Sequence, residues 1–587
     1  MFSKYYQSEL SYLRELGREF AEANPSLAGL FAEQGGDPDV DRLLEGFAFL
    51  TARIRERIDD AVPEIIDALA EMVVPQYTRT LPACSVVEFL PQQTALRGRH
   101  RLPPGTEVGA RPIEGTTCLF RTTVEVELLP LTLTDFTFDH SVEAHPEIRL
   151  GFRTAQAPDA LLRETKNLRM FLHGPLGLTT TTYLWMMRHL SSATYKASDG
   201  FTMSLAKSGD AQSAVHPVGV SPEQPMLPWP PLAPDGLRVM QEYFTLTQKL
   251  LFFDIYGLDR VPAEHATEQF VITFRFDRPP KLPERLDKDN FRLHCVPVVN
   301  LFDISADPIA RDTRQHEYLL RGAGVNPLHM EVYDVKNVTG LLANRRGRRE
   351  YTPFYSYEHV QRPRNEQAFF LTRRARSPID EGLDTYLTVL TPADVEPDFD
   401  EETLSIDLLC SNRSLPAELR AGDISVPTPR SPTIARFRNL TQVTRPVRPP
   451  IGSELHWRLV AHLALNVRTL SNADSLRSLL GLYNFHADAD QQLGRQNRQR
   501  EESVRSVDVR ASRRLIDRIP VRGQHTSVEV EQSAFASEGD VFAFGSALDW
   551  LFATETPLNS FHQLTLVLHP SGTRLEWSPR TGTQPIF

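Results

Sequence analysis

The hydrophobic period of the chain changes near residue 84, and this change sets the fold class. Upstream, apolar residues recur every three or four positions, which is the period of a helix that buries one face. Downstream, stretches such as SVVEFL and TVEVELLPLTLTDFTFD alternate apolar and polar residues, as half-buried strands do. We therefore predict an α+β multidomain protein in which an N-terminal helical segment is followed by β-rich modules with interspersed helices.

The N-terminal helical segment, residues 1–80, is predicted to hold three amphipathic helices, over about 2–24, 37–58 and 63–74. Such helices either pack on their own chain or lay their apolar faces against a partner, and the sequence leaves both arrangements open. The candidate interface residues on the first two helices are Phe2, Tyr6, Leu10, Leu13, Val40, Leu44, Phe47 and Ile54.

Three alternating aspartates, Asp37, Asp39 and Asp41, stand at the start of the second predicted helix. A calcium loop would need Gly at its sixth position and Glu at its twelfth. Counted from Asp37, these positions hold Arg42 and Ala48. The aspartates are better explained as a helix cap and as charges that favour the positive end of the helix dipole, so no metal site is predicted.

Proline-rich stretches divide the rest of the chain. The whole chain has 44 prolines among 587 residues, which exceeds the usual share of about 5%, and proline interrupts both helices and sheets. Seven of them fall in HPVGVSPEQPMLPWPPLAP, which is predicted to be a linker or a stiff arm. The predicted divisions are a β-rich domain at 81–215, a proline-rich linker or arm at 216–236, a mixed α/β domain at 237–400, a strand plus proline-rich connector at 401–452 and a C-terminal α+β domain at 453–587.

Three segments of the C-terminal domain carry specific expectations. ELHWRLVAHLALNVRTL is apolar around most of its circumference, which predicts a largely buried helix. Ser471 and Asp474 form a capping-box-like start for the next helix. HADADQQLGRQNRQREES is predicted to be a polar surface insertion or a disordered loop.

Composition excludes several classes of protein. A net charge of -11 argues against nucleic-acid binding, which needs a concentrated excess of Lys and Arg. The four cysteines lie far apart without a CxxC pair, which indicates reduced, buried thiols rather than disulfides or zinc ligands. No signal-peptide core and no run of about 18 apolar residues occurs, so we expect a cytoplasmic protein that is not embedded in a membrane.

The motifs of common enzymes are missing: the chain has no GxxxxGK[ST], HExxH or GxSxG. One basic run, NRRGRRE, is either a solvated loop or a docking site for an acidic partner. Its cations are Arg345, Arg346, Arg348 and Arg349. A structural protein is therefore expected, with a cytosolic hydrolase or carbohydrate-active enzyme built on β-modules, or an unrelated cytosolic scaffold, as alternatives.

Several stretches resemble one family in order and spacing along the whole chain. They are YYQSELSYLRELGREFAEANPSLA, DPDVDRLLEGFAFLTARIRERIDDAVPEI, LPPGTEV, CLFRTTVEVELLPL, LRVMQEYF, LLFFDIYGL, CVPVVNLFDISADPI, LLCSNRSLP, LHWRLVAHLALN and DVFAFGSALDWLF. Together they are similar to the TssF (ImpG/VasA) family of the bacterial type VI secretion baseplate. One departure is Thr245 to Lys249, where a proline-containing turn is expected and none is present.

This resemblance implies a non-enzymatic wedge component of a contractile, phage tail-like injection system, with no cofactor and no nucleic acid. It implies that two copies of the chain associate with one TssG and with each other. It further implies contacts with the TssK adaptor, with TssE and the sheath, and with the VgrG hub. The assembly would lie at the cytoplasmic face of the inner-membrane complex.

Overall fold

The computed structural model divides the chain into two compact units, one formed by Met1–Thr78 with Ile451–His456 and the other by Arg79–Pro450 with Trp457–Phe587. The described residues are 6–7, 10–14, 16, 39, 42–53, 70–71, 74–92, 96, 98–139, 145–154, 157–206, 211–221, 223–229, 233–280, 282, 284–311, 315, 317–342, 347–354, 368–380, 382–390, 402–451, 455–458, 460, 472–487, 489–516 and 519–582.

In the first unit, residues 10–14 and 42–53 are helical. The longer helix has fully buried side chains at Ala48 and Ala52, which lie one turn apart on the same face. The predicted helical residues between 54 and 69 lie outside the described part of the chain. The described helical residues agree with the helical period of the sequence, while the extent of the three predicted helices stays a prediction.

The second unit is mixed α/β and rich in strands. Its described helices are α1 (Pro158–Glu164), α2 (Leu176–Arg188), α3 (Asp235–Thr245), α4 (Ala473–Tyr483), α5 (Gln491–Glu502) and α6 (Glu538–Thr554). Its described strands are β1 (Cys84–Pro91), β2 (His100–Leu102), β3 (Glu107–Ile113), β4 (Thr116–Thr122), β5 (Val126–Leu128), β6 (Leu131–Asp139), β7 (Glu147–Thr154), β8 (Asn167–Leu172), β9 (Leu190–Ala197), β10 (Thr202–Ser204), β11 (Val215–Val218), β12 (Phe252–Tyr256), β13 (Gln269–Phe276), β14 (Phe291–Leu293), β15 (Cys295–Val299), β16 (Phe302–Ser305), β17 (Ile309–Ala310), β18 (Tyr318–Leu319), β19 (Glu331–Leu342), β20 (Arg348–Pro353), β21 (Phe369–Arg376), β22 (Leu383–Leu390), β23 (Glu402–Ser411), β24 (Ala435–Asn439), β25 (Val504–Ile516), β26 (Ile519–Glu531), β27 (Ser560–His569), β28 (Arg574–Glu576) and β29 (Arg580–Thr581).

These strands form several sheets. Their strand orders are β24-β1-β15-β4-β3, β10-β9-β13-β7-β6, β11-β12-β8-β14, β16-β23-β19-β20-β21-β22-β18 with β17 on β23, β2-β5, and β25-β26-β27-β28 with β29 on β27. The pairings of β20 with β21 and of β26 with β27 are parallel, and the other described pairings are antiparallel. In the first sheet β1 pairs with both β15 and β24, so one sheet joins stretches far apart in sequence. The predicted domain boundaries stay a prediction.

Alternating side chains build the cores of these sheets, as the period of two predicts. On β13, Phe270, Ile272, Phe274 and Phe276 are buried, while the residues between them are half-buried or exposed. The proline-rich stretch begins as β11, which lies at the edge of its sheet, where a strand residue without an N–H group is tolerated.

Helix α6 is the central helix of the C-terminal region and is buried almost all round. Ser537 caps it, since its hydroxyl accepts a hydrogen bond from the Asp540 amide at 3.1 Å. It packs on α2, α3 and β27. The approach to α2 needs a glycine, because a Cβ atom on Gly539 would lie 2.0 Å from the Thr180 carbonyl oxygen.

Three expectations for the C-terminal domain need correction, and the first concerns the predicted polar insertion. Residues within it form α5, which begins after Asp490, whose carboxylate accepts hydrogen bonds from the amides of Gln492 and Leu493. Asn497 and Arg500 of this helix are buried. Hydrophobic periodicity missed α5, because this helix packs through polar side chains that find hydrogen-bond partners rather than through an apolar stripe.

The second and third corrections concern two helix assignments. Helix α4 is capped by Asn472 rather than Ser471, since the Asn472 side chain accepts a hydrogen bond from the Ser475 amide at 2.8 Å. The stretch predicted to be a largely buried helix exposes 73% of Trp457 and 54% of Val460, while Leu455 is buried. The described residues 455–458 and 460 are helical, as predicted, but the predicted burial is wrong for them, because only Leu455 is buried. Residues 454, 459 and 461–470 lie outside the described part.

The four cysteines are free and buried, as predicted. Burial raises the pKa of each thiol, to about 12 for Cys118 and further for Cys84, Cys295 and Cys410. These thiols are therefore small apolar core groups with little reactivity at neutral pH.

Candidate partner-binding surfaces

The helix over residues 42–53 leaves one apolar side in solvent. Leu43, Phe47 and Leu50 are 62%, 56% and 60% exposed, while Ala48 and Ala52 are fully buried. Leu43, Phe47 and Leu50 are spaced by four and then three positions, so they form a continuous stripe, which we call the apolar stripe. Phe49, which is 47% exposed, lies outside this stripe. An amphipathic helix of a soluble protein normally turns such a stripe away from water. The apolar stripe is therefore a candidate partner-binding surface.

The other predicted interface residues fall into two groups. Tyr6, Leu10, Leu13 and Leu44 are half-buried. Phe2, Val40 and Ile54 lie outside the described residues. Of the predicted set, Phe47 is the most exposed described apolar side chain, and the structure adds its neighbours Leu43 and Leu50. The participation of all these residues in an interface stays a prediction.

One arginine of the predicted basic run pairs with a buried carboxylate of its own sheet. Arg349 lies 3.4 Å from Glu402, whose buried carboxylate also receives Arg311 at 2.9 Å and the Tyr351 hydroxyl at 2.9 Å. These donors neutralise a carboxylate that would be costly to bury alone. Arg348 is exposed. Arg345 and Arg346 lie outside the described residues, and docking by the run stays a prediction.

A buried ion pair joins α5 to the start of α6. Arg500 contacts both carboxylate oxygens of Asp540 at 3.0 Å, and both side chains are at most 3% exposed. Asp540 also accepts a hydrogen bond from the Ala536 amide at 3.1 Å, and the Arg500 guanidinium lies 5.1 Å from the centre of the Tyr243 ring of α3. The pair therefore ties three helices together with geometry that satisfies both charges.

Lys249 and Glu242 form a second buried ion pair. Lys249 belongs to the stretch Thr245 to Lys249, in which the sequence lacks the expected proline-containing turn. Glu242 accepts hydrogen bonds from the amides of Met226 and Leu227 at 2.6 and 3.0 Å. Burial lowers the pKa of Lys249, and the Glu242 carboxylate opposes that shift. The pair fastens part of the proline-rich stretch to α3, so that this part is held on the body of the unit.

A cleft of about 620 Å³ lies beside β5 and β8. Of its lining carboxylates, Glu125 and Glu127 both lie 3.3 Å from Arg101. Arg169, also in its lining, is bonded to Asp254 at 2.9 and 3.0 Å. Glu125, Glu127 and Arg169 are thus engaged in ion pairs, and the third lining carboxylate, Glu223, is exposed. A glycosidase site differs, because there two carboxyl groups face the sugar from either side.

The hairpin of β25 and β26 presents a second candidate surface, at its far end. Arg513, Arg514 and Arg522 lie there, and Leu515 between them is 74% exposed. The alternation of apolar and polar residues in TSVEV predicted a strand. It did not predict the cluster of arginines at the far end of the hairpin. The signal that could have located this surface is the run RRLIDRIP, in which arginines flank apolar residues.

Two kinds of site are not found among the described residues. No group of three or more His, Cys, Asp and Glu side chains there could hold a metal ion. None of the described helices combines the length and the apolar character needed to span a bilayer. The described surfaces that stand out are thus the apolar stripe and the end of the hairpin.

Comparison with known proteins defines the class of protein. The chain is 27% identical to the type VI secretion system component TssF1 of Pseudomonas aeruginosa, over 99% of both chains. Its fold matches a chain of a cryo-electron microscopy structure of the type VI secretion TssK-TssF-TssG baseplate subcomplex, with a TM-score of 0.78 and 28% identity, covering 93% of this chain and 99% of that one. It also matches a chain of a type VI secretion baseplate complex with a TM-score of 0.67 and 27% identity, covering 99% and 100%. These matches define a baseplate component of a type VI secretion system.

The model of one family, described as Type VI secretion system, TssF, matches residues 1–584. The chain belongs to the TssF family. The resemblance seen in the sequence is thereby confirmed over nearly the whole chain.

Proposed function

We propose that this chain is a non-enzymatic wedge subunit that assembles with TssG and TssK in the baseplate of a type VI secretion system, with two copies per TssG. The proposal is supported by the fold match to a chain of a TssK-TssF-TssG subcomplex, which extends over 93% of this chain. A wedge subunit acts by binding its neighbours and by changing those contacts when the sheath contracts. Its function therefore lies in its surfaces.

The apolar stripe is the observation that supports this function best. Three large apolar side chains, Leu43, Phe47 and Leu50, are each more than half exposed on one side of one helix. Burying such a side chain stabilises a complex by about 1.5–3 kcal/mol before the entropy of association is subtracted. We propose that TssG covers the apolar stripe by helix packing.

The proposal extends to the rest of the wedge. In it, the assembled subunits also contact TssE and the sheath, and the VgrG hub, and the chain works in the cytoplasm at the face of the inner-membrane complex. Catalysis and cofactors have no part in it. The ion-paired charges of the cleft beside β5 and β8 are consistent with this view, because Glu125 pairs with Arg101, and Glu127 pairs with both Arg99 and Arg101.

Coexpression with TssG and native mass spectrometry test the proposal. The expected result is a complex that contains two copies of this chain and one TssG, and that adds TssK when TssK is supplied. A chain that remains monomeric in the presence of both proteins would contradict the proposal. A complex of another stoichiometry would contradict only the two-to-one ratio.

A further inference from the structure

The far end of the β25–β26 hairpin extends past its neighbouring strand. The two strands pair up to Ile516 opposite Ile519, whereas β27 joins β26 only from Arg522 onward. Residues 513–516 and 519–522, which we call the distal hairpin, therefore pair almost entirely with each other. In the sheet order β25 lies at the edge, so this end is supported from one side at most.

Ion pairs neutralise the near end of the hairpin. Arg505 lies 2.8 Å from Glu531, across to β26. Arg510 lies 2.7 Å from Asp508 on the same strand. At this end the positive charges have partners within the chain.

The distal hairpin differs, because its arginines have no carboxylate within ion-pair distance in the described chain. Arg513 stands directly opposite Arg522, and Arg514 is next along the strand. Like charges placed opposite each other on two strands destabilise the pairing. Leu515 adds an apolar side chain that is 74% exposed. The folding of the hairpin itself gains nothing from this arrangement.

Arginines on an edge strand can also protect a sheet from unwanted pairing. That role does not account for Leu515, because an exposed large apolar residue beside the charges favours association rather than opposing it. Nor does it account for the opposed pair of Arg513 and Arg522, since one charge at the edge strand would be enough. A partner that supplies both negative charge and an apolar contact accounts for both features.

We propose that the distal hairpin docks on an acidic surface of a protein subunit other than a copy of this chain, with Arg513 and Arg522 bound to carboxylates and Leu515, which lies on the same face as Arg513, in an apolar pocket. The planar guanidinium group binds carboxylates through two parallel hydrogen bonds and is enriched at the energetic centres of interfaces. Nucleic acid is disfavoured, because the chain carries a net charge of -11 and the distal hairpin has few cations for phosphate contacts. A membrane surface is disfavoured, because the four arginines and one aspartate of residues 513–522 sum to a charge of only +3 (4 − 1), whereas recognition of anionic lipid uses about 4–8 clustered cations.

The test uses the assembly with TssG and TssK and so rests on the proposed function. All four native cysteines are buried, so a thiol introduced by Leu515→Cys can be modified selectively by a maleimide. Ile379→Cys is a matched control, because Ile379 is also 74% exposed. Labelling rates are compared for each variant alone and in the purified complex with coexpressed TssG and TssK.

We expect labelling at position 515 to slow by about tenfold or more in the complex, while labelling at position 379 stays unchanged. We also expect Arg513→Glu to weaken binding to the preformed TssG–TssK complex by about tenfold, while Arg574→Glu on β28 of the same sheet has little effect. Equal labelling at position 515 with and without partners, in a complex that does form, would overturn the docking proposal and leave the proposed function standing. Failure of the unmodified chain to form the complex would overturn both.

The same labelling experiment distinguishes two other binding partners of the distal hairpin, a lipid surface and a second copy of the chain. Protection at position 515 by phosphatidylglycerol vesicles, without TssG or TssK, would replace the protein partner with a lipid surface and overturn the proposal. Protection that rises with the concentration of the isolated chain would identify a second copy as the occupant and would also overturn it.

Discussion

Two apolar helices of this chain have opposite environments. Helix α6 is buried on nearly all sides by α2, α3 and β27. The helix over residues 42–53 buries Ala48 and Ala52 but leaves the apolar stripe in solvent. Apolar sequence alone therefore does not identify a core helix. In α6 the chain supplies nearly every neighbour, whereas the helix over 42–53 buries two alanines and leaves Leu43, Phe47 and Leu50 more than half exposed.

The largest expected effect concerns the charges that anchor α6. Arg500→Ala should lower the free energy of unfolding by about 3–5 kcal/mol, because Asp540 would remain buried without its partner. Arg510→Ala, which breaks the exposed pair with Asp508, should change it by less than about 0.5 kcal/mol. Urea denaturation followed by tryptophan fluorescence measures both. Equal effects would show that the anchor of α6 is no stronger than a surface pair.

Truncation of one leucine in each helix compares directly how much burial contributes to the stability of the two helices. Leu548 in α6 is fully buried and Leu50 is 60% exposed. Leu548→Ala should cost about 2–5 kcal/mol through lost burial and a cavity, while Leu50→Ala should cost less than about 0.5 kcal/mol in the isolated chain. Thermal and urea unfolding of the two variants provide the test. A large cost for Leu50→Ala would mean that its own chain already covers the apolar stripe.

Acid should lower the free energy of unfolding by a smaller amount than these substitutions, through a buried histidine that contacts α6. Phe552 of α6 stacks on His562 with ring centres 4.9 Å apart, and burial, with the nearby His525 in addition, lowers the pKa of His562 to about 3. The unfolded chain binds this proton below about pH 6.5. The stability contribution of neutral His562 is therefore complete above pH 6.5 and is lost as the pH falls toward 3. At pH 5 the loss is about 2 kcal/mol.

His562→Gln removes this titration while keeping a polar group beside Thr526, whose hydroxyl lies 2.9 Å from the His562 ring. Between pH 7.5 and pH 5 the wild-type chain should lose about 2 kcal/mol relative to the variant in urea denaturation. Parallel curves for the two proteins across this range would contradict the assignment.

The sequence predicted those parts of the fold in which packing follows a simple period. Alternation located β13 and helical period located α4, with Leu476, Leu479 and Leu480 buried as expected. The same approach missed α5, because Asn497 and Arg500 are buried through hydrogen bonds rather than apolar contacts.

The candidate surfaces were predictable only in part. The period of the N-terminal helices pointed to Phe47, but the exposed side of the helix could be identified only once Ala48 and Ala52 were seen to be buried. The Arg349 side chain points inward because it pairs with Glu402, which is more than fifty residues away in the sequence. No local sequence pattern connects the two residues. The opposition of Arg513 and Arg522 in the distal hairpin emerges only from the register of β25 with β26.

The central claim is that the apolar stripe binds another subunit. Its most direct test is copurification of TssG with Phe47→Asp, compared with Leu558→Asp, which alters a similarly exposed apolar residue, 54% against 56%, in the other unit. Leu44→Asp is a less clean variant, because Leu44 is half-buried in its own chain.

We expect Phe47→Asp to keep its urea transition and to lose TssG, since a carboxylate would be buried unpaired in the interface at a cost of several kcal/mol. Leu558→Asp should retain both the transition and TssG. Full recovery of TssG with a normally folded Phe47→Asp chain would show that the apolar stripe does not bind TssG.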